Sequence, residues 1–367
     1  MSSDTQFVIR PEEIPETGEI ILRAGQVPLF LGEPGIGKSA NMATLAERRM
    51  NSTTRMSGKL KVVKGEPGKG EYGLFSTVLG NYEAIDIGGL PASYADKKTG
   101  RLLQTRAMMD ILPQQGPGLW VIDEAGQNPD VFRMIAQLVW DRRINGDYTV
   151  PDGVDIVLLS NRAEDRAGSS RMYTHLTNRV VQVTIEPTVE GFLRAEAGNL
   201  VEDISSTVSW FPELLRTFNP KSTDAFASPR SWMMLNSMMA QGMKVNEKTR
   251  PIVNGTIGSR AGAEFATICR MQSTLPDIDA VLLDPAAYEK EIQDIAKSTT
   301  IICALSIVLS KRVKKETDLF GPCIDLMGRL SEERAVSFVR LASITNPDVL
   351  DLPDYGAFVS SHPDMFF

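Results

Sequence analysis

The chain has 367 residues, of which 42% are hydrophobic and 23% charged; this predicts an ordinary globular protein of two or three domains. Its formal net charge of -7 speaks against tight non-specific binding to nucleic acid, which relies on Lys and Arg neutralising phosphates. No apolar run approaches the roughly 20 residues of a membrane helix, and the first residues show no secretory pattern. Cys269, Cys303, Cys323, His175 and His362 are too few and scattered for a disulfide framework or a zinc site, so a reducing cytoplasm is the expected location.

In chain order, the first strong signal is the apolar run 27–31 (VPLFL), which reads as a buried strand ending at a Gly-rich turn. The turn, Gly32-Glu33-Pro34-Gly35-Ile36-Gly37-Lys38-Ser39, fits G-x-x-x-x-G-K-[ST] at every position. Glycines let successive N–H groups point at phosphate oxygens, and a helix starting near Lys38 adds its positive end. Lys38 then supplies a charge to the phosphates of ATP, the Ser39 hydroxyl a ligand to Mg2+, and Ala40 completes the candidate nucleotide-contacting loop. Residues 39–50 favour helix, with Met42, Leu45, Ala46 and Arg49 at helical spacing. The Gly- and Lys-rich stretch 51–70 reads as an exposed loop or small ribbon, followed by a strand over 74–79. Breakers in 86–100 (DIGGLPASYADKKTG) rule out one continuous helix there.

The run 119–122 (LWVI) delivers Asp123 and Glu124 to the carboxyl end of a buried strand, the edge where open α/β sheets bind ligands. Asp123 is placed to hold Mg2+ with Ser39, and Glu124 to act as general base toward water. A helix carrying Val131, Ile135, Leu138 and Val139 follows, and the Asn145-Gly146 pair between short strands marks a hairpin. Asp152-Gly153 is a further turn, and a strand over 156–159 ends at Ser160 and Asn161. The Asn161 carboxamide either orients the attacking water or simply forms a turn. One more strand spans 180–185, and from about residue 186 the pattern is helical throughout.

This order (phosphate loop, LWVIDE, hairpin, VLLSN, HLTNRV) resembles the AAA+ ATPases over about residues 20–245, in particular the MoxR group found in bacteria and phages. The segment DIGGLP (86–91) is similar to the part of MoxR proteins that precedes an insert in the second helix. The resemblance implies an α/β P-loop NTPase fold: a three-layer α/β/α parallel sheet, then an α-helical lid and a C-terminal helical extension. The expected domains are 1–186, with inserts near 51–72 and 86–105 and a hairpin near 143–150, then a lid at 187–247 and a helical region at 248–367.

By the same resemblance Asn161 is the first sensor residue, and Arg179 is the arginine finger, with Arg171 as rival. Arg230, in the first turn of a helix capped by Ser228 and Pro229, is the second sensor. The stripe Trp232, Met233, Met234, Leu235, Met238 and Met239 reads as core packing. A finger acting in trans implies a homo-oligomeric ring, hexameric in expectation, with ATP at subunit interfaces. The family further implies a protein client, one class of which carries a von Willebrand A-type domain; Tyr94, Lys97 and Lys98 are candidate client contacts. Two other functions fit the same motifs: a nucleic-acid motor or loader, for which the run 311–315 (KRVKK) is the best basic patch, and a nucleotide-gated scaffold with little turnover.

Overall fold

The structure, a computed structural model, describes residues 8–53, 61–107, 111–124, 129–145, 148–162 and 174–366. The chain divides into two compact units, Met1–Glu186 and Pro187–Phe367.

In the first unit the strands are β1 (Val8–Ile9), β2 (Pro28–Leu31), β3 (Lys61–Lys64), β4 (Glu71–Val78), β5 (Leu90–Ala95), β6 (Leu102–Ala107), β7 (Gly118–Asp123), β8 (Arg143–Ile144), β9 (Tyr148–Thr149), β10 (Val154–Ser160) and β11 (Val181–Ile185). Its helices are α1 (Ile14–Arg23), α2 (Met42–Thr53), α3 (Ala84–Gly88), α4 (Pro129–Asp141) and α5 (Thr174–Thr177). Among the described residues seven strands form one sheet in the order β1-β11-β2-β10-β7-β4-β3, every neighbouring pair parallel. Strand β10 lies between the phosphate-loop strand β2 and the acidic strand β7, an arrangement that fits the expected three-layer α/β fold with a P-loop.

Both faces of the sheet are covered, which is why its central strands are continuous apolar runs rather than alternating ones. Successive side chains nevertheless part to opposite faces. Leu119 and Val121 of β7 and Val157 and Leu159 of β10 join Phe30, Ile14 and Leu45 in one core. Trp120, Ile122, Ile156 and Leu158 join Leu29, Ile135 and Leu138 in the other. The buried Trp120 indole N–H is satisfied by Thr77 Oγ1 at 2.9 Å.

Two local expectations need correction, at 39–50 and 51–70, while the break in the helix over 86–100 and the hairpin near 143–150 are found. The helix expected over 39–50 opens with a 3-10 turn at Ser39–Asn41 and runs on to Thr53. Part of the expected 51–70 loop is strand β3, which extends the central sheet beside β4, because Val62 and Val63 find half-buried places there. The 86–105 region is α3 followed by an antiparallel ribbon of β5 and β6. In the hairpin near 143–150, β8 and β9 pair antiparallel and Asn145 has φ 51°; Gly146 lies outside the described residues.

The second unit contains, among its described residues, helices and 3-10 turns only. Its helices are α6 (Val189–Ala195), α7 (Glu202–Trp210), α8 (Pro229–Ala240), α9 (Arg250–Ile257), α10 (Ser259–Met271), α11 (Ile278–Leu283), α12 (Glu289–Ala296), α13 (Thr299–Lys315), α14 (Phe320–Leu330), α15 (Glu332–Thr345), α16 (Pro353–Ser361) and α17 (Pro363–Phe366). One core joins Phe192, Ile204, Trp232 and Leu235 to Val253, Phe265 and Leu341, so the expected lid segment and the helices after it share packing. Trp232 sits edge-on to Phe265 and donates to the Leu214 carbonyl at 2.9 Å. Of the stripe read as core, Met234 departs: it is 55% exposed, because it falls on the outer side of α8.

The basic run at the end of α13 is engaged within the chain. Lys311 pairs with Asp203 at 2.7 Å, Arg312 with Asp279 at 2.8 Å and Lys314 with Glu202 at 2.6 Å, while Val313 is buried. No helix among the described residues is long and apolar enough to cross a membrane.

Burial pushes the Cys303 and Cys323 thiols up to about 12, and both side chains are closed to solvent. Because the thiolate is the reactive form, neither should react with a thiol reagent such as DTNB at pH 8 in the folded protein, and both should react on unfolding in urea. Rapid titration of all three cysteines in the native protein would contradict this packing.

Candidate active site

The site grows from strand register. Ser160 of β10 lies opposite Leu31 of β2, and Leu158 opposite Ile122 of β7, so Gly32, Asn161 and Asp123 leave the sheet at its carboxyl edge. The Gly32 N–H donates to the Ser160 carbonyl at 3.2 Å, extending the ladder one step into the loop. Gly35 and Gly37 have φ 80° and 97°, a region that side chains avoid, so the G-x-G-K spacing is what lets the chain turn here. Ile36, one of the expected nucleotide contacts, turns its side chain into the core and is 2% exposed; only its backbone is offered to a ligand. Ser39 and Ala40 are exposed at the mouth of the loop, and Pro34 is half-buried.

The loop and the strand ends are joined by hydrogen bonds. Buried Lys38 donates through Nζ to the carbonyls of Gly32 (2.7 Å) and Glu33 (2.8 Å) and to Asn161 Oδ1 (3.2 Å). The Ser39 hydroxyl donates to Asp123 Oδ2 at 2.8 Å. Residues 123 and 84 positions apart in sequence thus meet: the expected lysine with the first-sensor asparagine, and the two expected Mg2+ ligands with each other. The Asp123 carboxylate also accepts from the Glu124 N–H at 2.8 Å. Glu124 has φ 55°, a left-handed conformation that costs a non-glycine residue about 1–2 kcal/mol. Such backbone is kept where surrounding structure enforces it, commonly at functional sites.

The donor set suits ATP with Mg2+. A hydroxyl and a carboxylate, both hard oxygen donors 2.8 Å apart, are the ligand type Mg2+ takes. Gly32 supplies close backbone approach: a Cβ there would lie 2.5 Å from Ile36 Cδ1 and 2.8 Å from the Ile185 carbonyl.

One feature escaped the sequence. Arg162, directly after Asn161, pairs with Glu33 Oε1 at 2.9 Å and with Glu186 Oε1 at 3.1 Å. Glu33 is 8% exposed, so this guanidinium balances a nearly buried carboxylate inside the phosphate loop and ties it to the end of β11. An arginine following a strand-end asparagine was visible in the sequence, but its partners, 129 and 24 positions away, were not.

Arg179 does not join this cluster. Its N–H donates to the Leu176 carbonyl, its guanidinium donates to the Ala136 carbonyl of α4 at 2.9 Å, and it lies 5.5 Å over the Trp140 ring. Its rival Arg171 and the side chain of His175 lie outside the described residues. Arg230 is exposed in the first turn of α8 in the second unit, where Ser228 accepts from the Ser231 N–H and Pro229 occupies the first helical position.

Gly32→Ala should therefore weaken ATP binding and cost about 1–3 kcal/mol of stability, since Ile36 can rotate away but the Ile185 carbonyl cannot. Urea unfolding and nucleotide titration of the variant measure both effects. Wild-type affinity and stability would refute the close approach.

No protein-family model matches the sequence, and no curated protein matches it. Among solved structures, a proposed ATPase from Cytophaga hutchinsonii is similar at 11% identity, covering 83% of this chain and 76% of that one, with a TM-score of 0.30. A point mutant of RuvB from Thermotoga maritima is similar at 14% identity, over 96% of this chain and 89% of that one, with a TM-score of 0.29. The ORC1 protein of Aeropyrum pernix, solved in complex with DNA, is similar at 11% identity over 100% of this chain and 86% of that one, with a TM-score of 0.31. Scores this low leave the fold assignment to the strand order and the loop geometry themselves.

Proposed function

We propose that this chain is a Mg2+-dependent ATPase of the AAA+ class, MoxR-like, that works as a homo-oligomeric ring and remodels a protein client. The carrying observation is the paired meeting at the sheet edge: Lys38 with Asn161, and Ser39 with Asp123. In this reading the backbone N–H groups of the loop 32–40, all but that of Pro34, and the Lys38 ammonium hold the β- and γ-phosphates of ATP. Ser39 and Asp123 would hold Mg2+, which would supply positive charge to the phosphate oxygens. Asn161 orients a water, Glu124 takes its proton as its oxygen attacks the γ-phosphorus, and ADP and inorganic phosphate leave.

Lys38 exchanges neutral carbonyl partners for phosphate oxygens, which are stronger acceptors for a cation. Arg179, bonded to α4 and not to the Lys38–Asp123 cluster of its own chain, is proposed to complete the site of a neighbouring copy in a hexameric ring. Arg230 is proposed as the sensor of nucleotide state. A protein client, one class being von Willebrand A-type domains, is favoured over nucleic acid because Lys311, Arg312 and Lys314 are already paired with carboxylates.

Steady-state phosphate release measured across protein concentration tests this. The rate per subunit should rise with concentration as rings assemble, and Lys38→Ala, Glu124→Gln and Arg179→Ala should each lower it by a factor of about 10²–10³ or more. Wild type that binds ATP yet releases no phosphate at any concentration would point to a scaffold instead.

A further inference from the structure

Trp140 is out of place on the surface. It is 66% exposed in the last turn of α4, while Val131, Ile135, Leu138 and Val139 of the same helix are buried. The side chain that lies over its ring is Arg179, with the guanidinium carbon 5.5 Å from the ring centroid. The same guanidinium donates to the carbonyl of Ala136, one helical turn before Trp140, at 2.9 Å. One turn of α4 therefore holds Arg179 at two points, over the Trp140 ring and at the Ala136 carbonyl.

We infer that Trp140 is the positioning residue for Arg179, and that this pair is the surface by which one copy of the chain completes the nucleotide site of the next. The inference rests on the trans role proposed for Arg179. Three physical points carry it. A free arginine side chain samples many rotamers, and holding it in place before assembly removes that ordering cost from the encounter. A cation over an aromatic ring is held by the electrostatics of the ring face and spends no N–H donor on it, and those donors are what bind anions. Among the described residues the Ala136 carbonyl is the one acceptor that the guanidinium meets, so other N–H donors remain for a phosphate. An aliphatic residue at 140 would offer no ring face, and a carboxylate there would take the N–H donors themselves.

The test uses the full chain in phosphate-release assays. Trp140→Ala should lower kcat about tenfold with KM for ATP unchanged, while Trp140→Phe, which keeps a ring face, should stay within about threefold of wild type. Mixing supplies a readout that a merely structural role would not move. A Trp140→Ala copy has an intact phosphate loop and a Lys38→Ala copy has an intact Trp140–Arg179 pair, so the mixture should exceed either alone, as should Arg179→Ala mixed with Lys38→Ala. Trp140→Ala with wild-type kcat, or inactive and not rescued by mixing, would overturn the inference while leaving the trans role standing. Failure of the Arg179→Ala and Lys38→Ala mixture, with wild type active, would remove the trans role and this inference with it.

Discussion

The parallel register of β2, β10 and β7 is the constraint on which the rest of the first unit depends. Because side chains alternate across the sheet, a slip of one residue would send every core side chain to the wrong face. Burial of Leu119, Val121, Val157 and Leu159 on one face and Trp120, Ile122, Ile156 and Leu158 on the other locks that register from both sides. The same register ends three strands together, and this alone brings Gly32, Asp123 and Asn161 to one edge. Chemistry that needs precise placement is thereby mounted at the ends of packed strands.

On that edge Arg162 pairs with the Glu33 carboxylate, and the neutral carbonyl acceptors of Lys38 are ones that an anionic ligand displaces readily. Arg162 links the loop through Glu33 to Glu186, the last residue of the first unit. The phosphate loop is thus connected by charge to the point where the chain passes into the helical unit.

Much of this was legible in the sequence, for identifiable reasons. Glycine spacing around Lys38 reports backbone geometry directly, and the runs VPLFL, LWVI and DIVLLS report burial on two faces. The carboxyl-edge rule then placed Asp123, Glu124 and Asn161. What was hidden depends on contacts distant in sequence. Strand β3 reads as polar because it is an edge strand with exposed lysines at both ends. The partners of Arg162 and the placement of Arg179 over Trp140 leave no spacing signal at all. Met234 fits a helical apolar stripe by composition, yet the angle of α8 turns it outward.

The central claim, that the Lys38–Ser39–Asp123 cluster is an ATP·Mg2+ site, is tested most directly by titrating a fluorescent ATP analogue with and without Mg2+. Wild type should bind more tightly with Mg2+, Ser39→Ala should lose that increment, and Lys38→Ala should weaken binding at least about tenfold. Binding indifferent to Mg2+ and to Lys38→Ala would contradict the account.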